Sequence, residues 1–470
     1  MSEATKKTDS ITRLLGGTEQ NWCKVTSSGT GIAVMALQAS KHLNITHLKE
    51  VLHKIQNNHP ILTSMLLKNI STGSNSFIIN PPIPHLHLNV INQSKTSELL
   101  TTLVTRGPNP PLSPLHMIFE HELNINEWTS VGSRSLSMGG FYLMYATLYT
   151  LADEKWILAM RLHTAICDRL TGVSLLRELR EVIGKNGAEG HKEGYHMAIE
   201  DLIPIGKAKK TMWEHGKDMV TYSFNTFRLS KLKFKNVKGP FNSEVVRFKM
   251  SSRDTQLLLA GCKSRGIKFC GVMVAAILLA VYSSKRRSSR NNRKKYGVVF
   301  LNDCRSDLDP PLSPYNLGFY QSAINTIQEV KSGENLWDVA TRSYTSFASS
   351  KNNNKHFTDI ADLNYLMSKA VDNPSLTPKS SLRSALVTVF EDTIIENVSE
   401  LQQDLLLDDF IGCASIHGIG PSIAVFDTIV DGKLDCLFVY PSPLHSREQI
   451  EGLIAHIQSS LVEATKMEEI

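Results

Sequence analysis

The segment RLHTAICDR, residues 161–169, holds the side chains of this sequence that are best suited to chemistry. His163 and Thr164 are adjacent, and Asp168 follows. Imidazole exchanges protons near neutral pH, so His163 is a candidate general base. A threonine hydroxyl takes that role near neutral pH only when another group activates it. The segment therefore marks a candidate catalytic site, with His163 and Thr164 as its first two residues.

Polar side chains elsewhere in the chain are candidates for the same site. His417 is a second candidate base. A pocket that guides a reaction needs shape and a few polar groups more than it needs a strong base. Arg169, Tyr320 and Ser415 are candidates for substrate binding in such a pocket, although each is also typical of loops and strand ends.

The residues around the segment predict how it is held. Apolar runs at 141–151 and 156–162 predict two strands of a hairpin, and helical spacing after Asp168 predicts a helix. Because side chains alternate along a strand, His163 and Thr164 should face opposite sides of the sheet. If Thr164 faces a channel, we expect His163 to be a buried histidine that is hydrogen-bonded to the backbone.

The rest of the chain predicts an α/β protein with two related halves. Residues 31–37 and 45–55 predict a strand followed by a core-facing helix. The polar, weakly periodic stretch that follows the first half predicts a connection. We therefore expect an N-terminal domain at 1–185, a connection at 186–240 and a C-terminal domain at 241–470. In the last of these we expect strands at 244–250, 297–301, 322–330, 384–390, 422–430 and 434–440, and helices at 252–265, 271–282 and 447–464.

The composition excludes several classes of protein. With 470 residues, 41% apolar and 20% charged, the chain is long and apolar enough for two globular cores. Its seven cysteines are odd in number and contain no C-x-x-C pair, so they predict reduced thiols and neither a disulfide framework nor a zinc site. The sequence MSEATKKTDS lacks the apolar core of a signal peptide. We expect a cytoplasmic protein without a membrane span.

Nucleotide, metal and nucleic-acid sites are not indicated either. No glycine-rich phosphate loop follows a predicted strand, and no His, Cys and Asp residues have metal-ligand spacing. The net charge is +6, and much of the excess lies in the run KRRSSRNNRKK at 285–295. A solvated loop is the preferred interpretation of this run over a nucleic-acid site.

Five segments, in order, resemble a superfamily that includes chloramphenicol acetyltransferase, the condensation domains of peptide synthetases and plant BAHD acyltransferases. RLHTAICDR is similar to its HHxxxDG signature, and LNDCRSDLDPPLSPYNLGFYQSAI, 301–324, is similar to a strand and loop of its second domain. The other segments are 13–23, 253–281 and 426–461. The resemblance is strongest to plant condensation-domain-like, or alcohol-acetyltransferase-like, proteins, because GCASIHGIGPS at 412–422 lacks the BAHD sequence DFGWG. It implies two acetyltransferase-like domains, each a mixed β-sheet flanked by helices, with a channel between them.

The resemblance also implies roles for individual residues. The first signature histidine matches His163, but the second, which is the family's general base, matches Thr164. The aspartate is Asp168, which is structural in the family, and Arg169 replaces the glycine. Arg305 matches a structural arginine, and we expect it to pair with a carboxylate such as Asp168.

Three functions are compatible with this altered signature. The first is transfer of an acyl group from acyl-coenzyme A to a small alcohol or amine metabolite, with His163 or His417 as the base. The second is another reaction in the same channel, such as a cyclisation or condensation of a specialised metabolite. The third is a non-catalytic binding protein, for which we expect a channel filled by bulky side chains. The resemblance implies no metal or prosthetic group, and we expect a monomer whose partner is a small molecule.

Overall fold

A computed structural model describes residues 11–40, 43–68, 75–79, 88–108, 111–129, 140–184, 196–218, 229–284, 293–373, 385–397 and 406–466. Its strands are β1 Ile11–Leu14, β2 Thr30–Ala39, β3 Met65–Lys68, β4 Asn75–Ile79, β5 Leu88–Ile91, β6 Phe141–Tyr142, β7 Met144–Thr150, β8 Trp156–His163, β9 Asn242–Lys249, β10 Lys294–Asp303, β11 Gln321–Val330, β12 Val387–Phe390, β13 Ile394–Glu396, β14 Leu407–Ile416, β15 Ile423–Val430 and β16 Lys433–Ser442. Its principal helices are α1 Gly17–Thr26, α2 Ile45–Asn58, α3 Gln93–Arg106, α4 Pro114–Leu123, α5 Arg169–Gly184, α6 Ser252–Ser264, α7 Phe269–Ser284, α8 Leu336–Asn352, α9 Lys355–Thr358, α10 Ile360–Asp372 and α11 Arg447–Lys466.

Local sequence explains the helices that were expected from periodicity. The Asn44 side chain accepts hydrogen bonds from the backbone N–H groups of Thr46 and His47, which caps α2. The face of α2 formed by Leu48, Val51, Leu52 and Ile55 is buried, as their spacing predicts. Helix α7 is apolar on every side because it lies inside the C-terminal core. No single described helix is long and apolar enough to cross a membrane; α6 and α7 together are, but they are bent by 106° at the break between them.

Three sheets organise the described residues. The N-terminal sheet has the strand order β14-β2-β8-β7-β5, and the C-terminal sheet has the order β11-β10-β12-β15-β16-β9, with β13 beside β15. A smaller sheet has the order β1-β4-β3-β6. Both large sheets mix parallel and antiparallel pairs and carry helices. The predicted α/β class, with two sheet-containing halves, is confirmed.

Strand β14 crosses between the halves. It follows most of the C-terminal sheet in the sequence, yet it pairs antiparallel with β2, from Leu407 opposite Ala39 to Ile416 opposite Thr30. The N-terminal sheet therefore takes its edge strand from the last quarter of the chain. The expected boundaries at 185 and 240 remain a prediction, but strand pairing connects the segments on either side of them.

Two expected features fall largely outside the described residues. Of the basic run at 285–295, only residues 293–295 are described, and two of these begin β10. Of the expected connection at 186–240, residues 196–218 and 229–240 are described.

Candidate functional site

A cavity of about 990 Å³ lies between the two halves. One wall is a face of the C-terminal sheet, with residues from β10, β11, β12 and β15. The opposite walls come from β2, β14, α1, α5 and α10. Elements from both halves therefore enclose the space, as the expected channel requires.

A single peptide unit connects two of the predicted site residues. The Thr164 hydroxyl donates a hydrogen bond to the carbonyl oxygen of Gly31, while the Ile32 N–H donates to the Ser415 hydroxyl at 2.9 Å. The two side chains thus bind opposite sides of the Gly31–Ile32 peptide, and both line the cavity. Gly31 has φ +92°, and an added Cβ there would lie 2.9 Å from the Thr164 hydroxyl oxygen, so the close approach requires glycine.

Asp168 and Arg305 form the expected ion pair. Two guanidinium nitrogens lie 2.8 and 3.1 Å from the two carboxylate oxygens, and both side chains are almost fully buried. Asp168 also accepts from the backbone N–H of Thr171, which caps the start of α5, and from the N–H of Tyr320. The pair therefore fixes the turn after Thr164 against the loop that precedes β11.

Arg169 joins the two halves beside the cavity. Its guanidinium donates to the backbone oxygens of Asp392 and Asp427 and lies 3.4 Å from the Asp427 carboxylate. It also lies over the Phe390 ring at 4.3 Å. Burial lowers the pKa of this guanidinium. The side chain lines the cavity, but its hydrogen bonds go to protein groups of the C-terminal half.

His163 faces the opposite side of β8, as strand alternation predicts. It is fully buried, its ring packs edge-on against Trp128 at 5.0 Å, and its Nδ1 accepts a hydrogen bond from the Ala165 N–H. Burial lowers its pKa to about 3. This imidazole is neutral at physiological pH and does not line the cavity.

His417 and Tyr320 also lie away from the cavity. The half-buried His417 ring packs against Gly29, with its Nδ1 3.1 Å from the Ser243 hydroxyl. The Tyr320 hydroxyl donates to the Met197 carbonyl oxygen, and its ring lies 4.9 Å from the Arg305 guanidinium. Of the predicted site residues, the structure thus brings Thr164, Asp168, Arg169 and Ser415 to the cavity, but not His163, His417 or Tyr320. The remaining predicted residue, Arg305, does not line the cavity but binds Asp168, which does.

The cavity wall carries no histidine among the described residues, and burial raises the pKa values of the two thiols that line it, Cys167 and Cys413. The Glu396 and Asp218 carboxylates also line it, but arginine and lysine side chains hold both in ion pairs. The Asp168 carboxylate is held by Arg305. The wall therefore offers hydroxyls and amides for hydrogen bonding rather than an imidazole for proton removal.

Sequence reasoning missed two aromatic side chains in the cavity. Trp22 on α1 and Phe319 line it with their ring centroids 5.3 Å apart, and Trp22 also packs on Gly31. Both residues belong to segments that resemble the acyltransferase superfamily, 13–23 and 301–324. Their place in these segments was the available signal, but a lone aromatic in a sequence is more often part of a core.

A cluster of carboxylates lies near one end of α10. Asp218, Asp359 and Asp362 converge closely enough to hold a metal ion. The Lys210 ammonium already lies 2.6 to 2.7 Å from a carboxylate oxygen of each. The Lys355 ammonium lies 3.3 Å from Asp218 and 3.1 Å from Asp359, so two lysines supply counter-charge to these carboxylates.

Comparison with solved structures identifies the fold. Polyketide synthase associated protein 5 from Mycobacterium tuberculosis superposes with a TM-score of 0.66 at 15% identity, covering 97% of this chain and 99% of that one. The first condensation domain of the calcium-dependent antibiotic synthetase superposes with a TM-score of 0.62 at 13% identity, covering 98% and 97%. The chain has the condensation-domain fold. Trichothecene 15-O-acetyltransferase from Fusarium sporotrichioides shares this fold, with a TM-score of 0.66 at 11% identity and coverage of 98% and 97%.

Sequence comparison adds no closer relative. No protein-family profile and no curated protein matches the chain. The condensation-domain fold is therefore supported by structural similarity alone. At identities of 11% to 15%, function does not follow from fold. The stronger resemblance to plant proteins stays a prediction.

Proposed function

We propose that the protein transfers an acyl group from an acyl-coenzyme A thioester to a small amine. The observation that carries the proposal is an open cavity between the halves whose described wall contains no histidine. An alcohol must lose its proton as it attacks a thioester, so it needs a general base. A neutral amine is already nucleophilic, and it needs mainly to be held close to the thioester carbon.

The reaction balances without a base from the protein. The amine lone pair attacks the thioester carbonyl carbon, a C–N bond forms, and the C–S bond breaks. The leaving thiolate takes up the proton that the nitrogen loses, which gives an amide and free coenzyme A. The cavity holds the amine close to the thioester carbon. This contribution to the rate does not require a histidine at the position of Thr164.

Ser415 is the group that we assign to the thioester carbonyl. It is buried, lines the cavity and accepts a hydrogen bond from the Ile32 N–H, and its own hydroxyl hydrogen meets no acceptor among the described residues. That hydrogen is free to donate to a carbonyl oxygen on which negative charge develops. The Thr164 hydroxyl is less suitable because it already donates to Gly31.

The test is release of coenzyme A thiol from an acyl-coenzyme A with a panel of amines and of alcohols matched in size. Wild type should acylate amines and leave alcohols untouched. Ser415→Ala should lower kcat about 10²-fold, as removal of one oxyanion donor does. The matched control is Ser322→Ala, because the Ser322 hydroxyl lines the same cavity but already donates to Asn302. Turnover of alcohols at the rate of amines would overturn the proposal.

A second candidate is a cyclisation or condensation of a bound metabolite without acyl transfer. It is favoured by the same lack of a histidine in the described cavity wall, since such a reaction needs shape more than proton removal. A purely non-catalytic protein is less well supported, because the filled channel expected of it is instead an open cavity of about 990 Å³.

A further inference from the structure

Three large apolar side chains are exposed on one segment of the connection between the halves. Ile205 is 100% exposed, Met212 88% and Trp213 82%. Single exposed apolar residues need no explanation, but an exposed apolar patch marks a surface that contacts a partner or a membrane. Met212 and Trp213 are adjacent, and two hydrogen-bonded turns join Ile205 to them. We call residues 205–217 the exposed segment.

The exposed segment is held to the protein on both sides of its adjacent apolar pair. Before Met212 and Trp213, the Lys210 ammonium lies 2.6 Å from the Asp362 carboxylate on α10. After them, the Nδ1 atom of His215 lies 2.7 Å from the same carboxylate. The two apolar side chains therefore project from a piece of backbone that ion pairs fix to α10.

A capping box determines which side of the exposed segment faces away from the protein. The Thr211 N–H donates to the Glu214 carboxylate at 2.8 Å, and the Glu214 N–H donates to the Thr211 hydroxyl at 3.3 Å. This reciprocal pair starts a helical turn. Trp213 and Lys217 are four residues apart on that turn, so they share the face opposite His215, which is bound to α10.

Exposed lysines accompany the apolar side chains. Lys207, Lys209 and Lys217 are all exposed, and Glu214 is the one acidic residue between positions 205 and 217. Tryptophan favours the headgroup layer of a membrane, and lysines next to it are attracted by anionic lipids. Lysine is depleted where proteins bind other proteins, so the combination favours a lipid surface over a protein partner.

We infer that the exposed segment docks the protein on the surface of an anionic membrane. Met212 and Trp213 then lie among the lipid headgroups, and the lysines lie against their negative charge. Such a contact needs no membrane-spanning helix, and it does not depend on the proposed function. Asp218, the residue after the exposed segment, lines the cavity, so docking brings one end of the cavity close to the membrane.

The first test is co-sedimentation of the full-length protein with vesicles. Vesicles of phosphatidylcholine mixed with phosphatidylserine should bind the protein more tightly than vesicles of phosphatidylcholine alone, and added salt should weaken the binding. Trp213→Ser should lower the partition coefficient at least about tenfold, because a large apolar side chain no longer leaves water. Lys207→Gln should lower it about fivefold, and only on the anionic vesicles.

Two substitutions elsewhere on the surface are the matched controls. Ile395→Ser removes an apolar side chain that is 61% exposed on β13, and Lys263→Gln removes an exposed lysine of α6. Both should leave vesicle binding unchanged. Thermal unfolding of each variant shows whether a loss of binding comes from loss of the fold.

Tryptophan fluorescence locates the contact. The structure describes all five tryptophans, and Trp213 is the one that is largely exposed. Trp128, Trp156 and Trp337 are at most 5% exposed, and Trp22 is half-buried in the cavity wall. Anionic vesicles should therefore shift the emission of Trp213 to the blue, and brominated lipids should quench it. Trp213→Phe should keep the binding and lose both changes.

The outcomes separate membrane docking from other uses of the exposed segment. Binding to anionic vesicles that Trp213→Ser and Lys207→Gln weaken, and that the two controls leave unchanged, supports the inference. Lack of binding to these vesicles overturns it, and so does binding that Trp213→Ser does not change. Sedimentation velocity of the protein alone tests the alternative of a protein contact. Self-association that Trp213→Ser abolishes, without vesicle binding, would show that the exposed segment joins copies of the chain instead.

Discussion

Arg305 and Asp168 illustrate how one buried ion pair holds the candidate site in place. The guanidinium also binds Asp303 at 2.6 Å and the Asn316 carbonyl oxygen, so it joins the loop before β11 to the turn after Thr164. We expect Arg305→Ala to lower the free energy of unfolding by about 3–5 kcal/mol, because it leaves the Asp168 carboxylate buried without a partner. Denaturant unfolding measures this loss.

A surface arginine provides the control for that prediction. Arg293 pairs with Glu329 at 3.2 Å in an exposed position, and Arg293→Ala should cost less than about 1 kcal/mol. Ligand affinity should change less than stability in Arg305→Ala, because Arg305 does not line the cavity. An unchanged melting temperature would contradict a structural role for the ion pair.

The buried His163 makes stability depend on pH. Its pKa is about 3 in the folded protein because burial disfavours the charged ring, whereas an unfolded histidine has a pKa near 6.5. Below about pH 6.5 the unfolded state binds more protons than the folded state, so stability falls as the pH is lowered. By pH 5 this histidine alone should cost about 2 kcal/mol.

His163→Asn tests this dependence. Asparagine retains an acceptor for the Ala165 N–H but cannot take up a proton in this range. Urea unfolding at pH 7 and pH 5 should therefore show a smaller loss of stability in the variant than in wild type. Equal losses in both proteins would show that another group carries the pH dependence.

At the scale of single residues, the sequence predicted the contacts that depend on local geometry. Strand alternation predicted that His163 and Thr164 face opposite ways, and charge predicted the partner of Arg305. It could not predict that Ser415 meets the Gly31–Ile32 peptide, because that contact joins residues almost 400 positions apart through the pairing of β14 with β2. Tyr320 illustrates the converse: it was a candidate for substrate binding, but its hydroxyl donates to the Met197 carbonyl oxygen.

At the scale of elements, Lys210 is one of the groups that hold the connection between the halves. Lys210 donates to Asp359 on the loop before α10 and to Asp362 within α10, and His215 also binds Asp362 at 2.7 Å. Because the carboxylates around the Lys210 ammonium would otherwise repel one another, Lys210 should fasten residues 196–218 to α10.

Replacement of that lysine should loosen the connection. We expect Lys210→Met to lower the free energy of unfolding by about 3 kcal/mol, since it leaves close carboxylates without their main counter-charge. Hydrogen exchange should also become faster within residues 196–218. The exposed Lys207 provides the control, and Lys207→Met should change neither quantity. Equal protection in both variants would show that the carboxylate cluster does not fasten this segment.

Strong periodicity decided which elements were predictable. Helices α2, α6, α7 and α11 and strands β8, β15 and β16 follow from their own apolar spacing. Strand β14 carries Asp408 and Asp409 directly after its first residue, a pattern typical of a solvated turn. In the structure Asp409 instead forms a two-pronged ion pair with Arg247 on β9, at 2.6 and 2.9 Å. A distant cation, which no local pattern reveals, holds the first residues of this strand against β9, and pairing with β2 forms the rest.

At the scale of the whole molecule, β14 makes the halves interdependent. Without it, β2 would be an unpaired edge in an apolar sheet, which favours aggregation. We expect the fragment 1–240 to aggregate when it is produced alone. Joined by a flexible linker to residues 406–417, the same fragment should become soluble and unfold cooperatively.

A scrambled form of the 406–417 segment on the same linker is the control for that experiment. It adds the same composition without the pattern that pairs with β2, so it should not restore solubility. Cooperative unfolding of the fragment 1–240 alone would show that the N-terminal half does not depend on the crossing strand.

The most direct test of an acyl transfer that uses no histidine is the ratio of amine to alcohol acylation in wild type and in Thr164→His. Thr164 lines the cavity beside the Gly31–Ile32 peptide, where a histidine would place an imidazole next to the acceptor. Wild type should acylate amines, with a rate that rises with pH as the amine loses its proton, and should acylate alcohols no faster than the uncatalysed background. Thr164→His should raise alcohol acylation about 10²–10⁴-fold above that background, the usual contribution of a general base. Alcohol acylation by wild type that Thr164→His does not increase would contradict a transfer without a histidine.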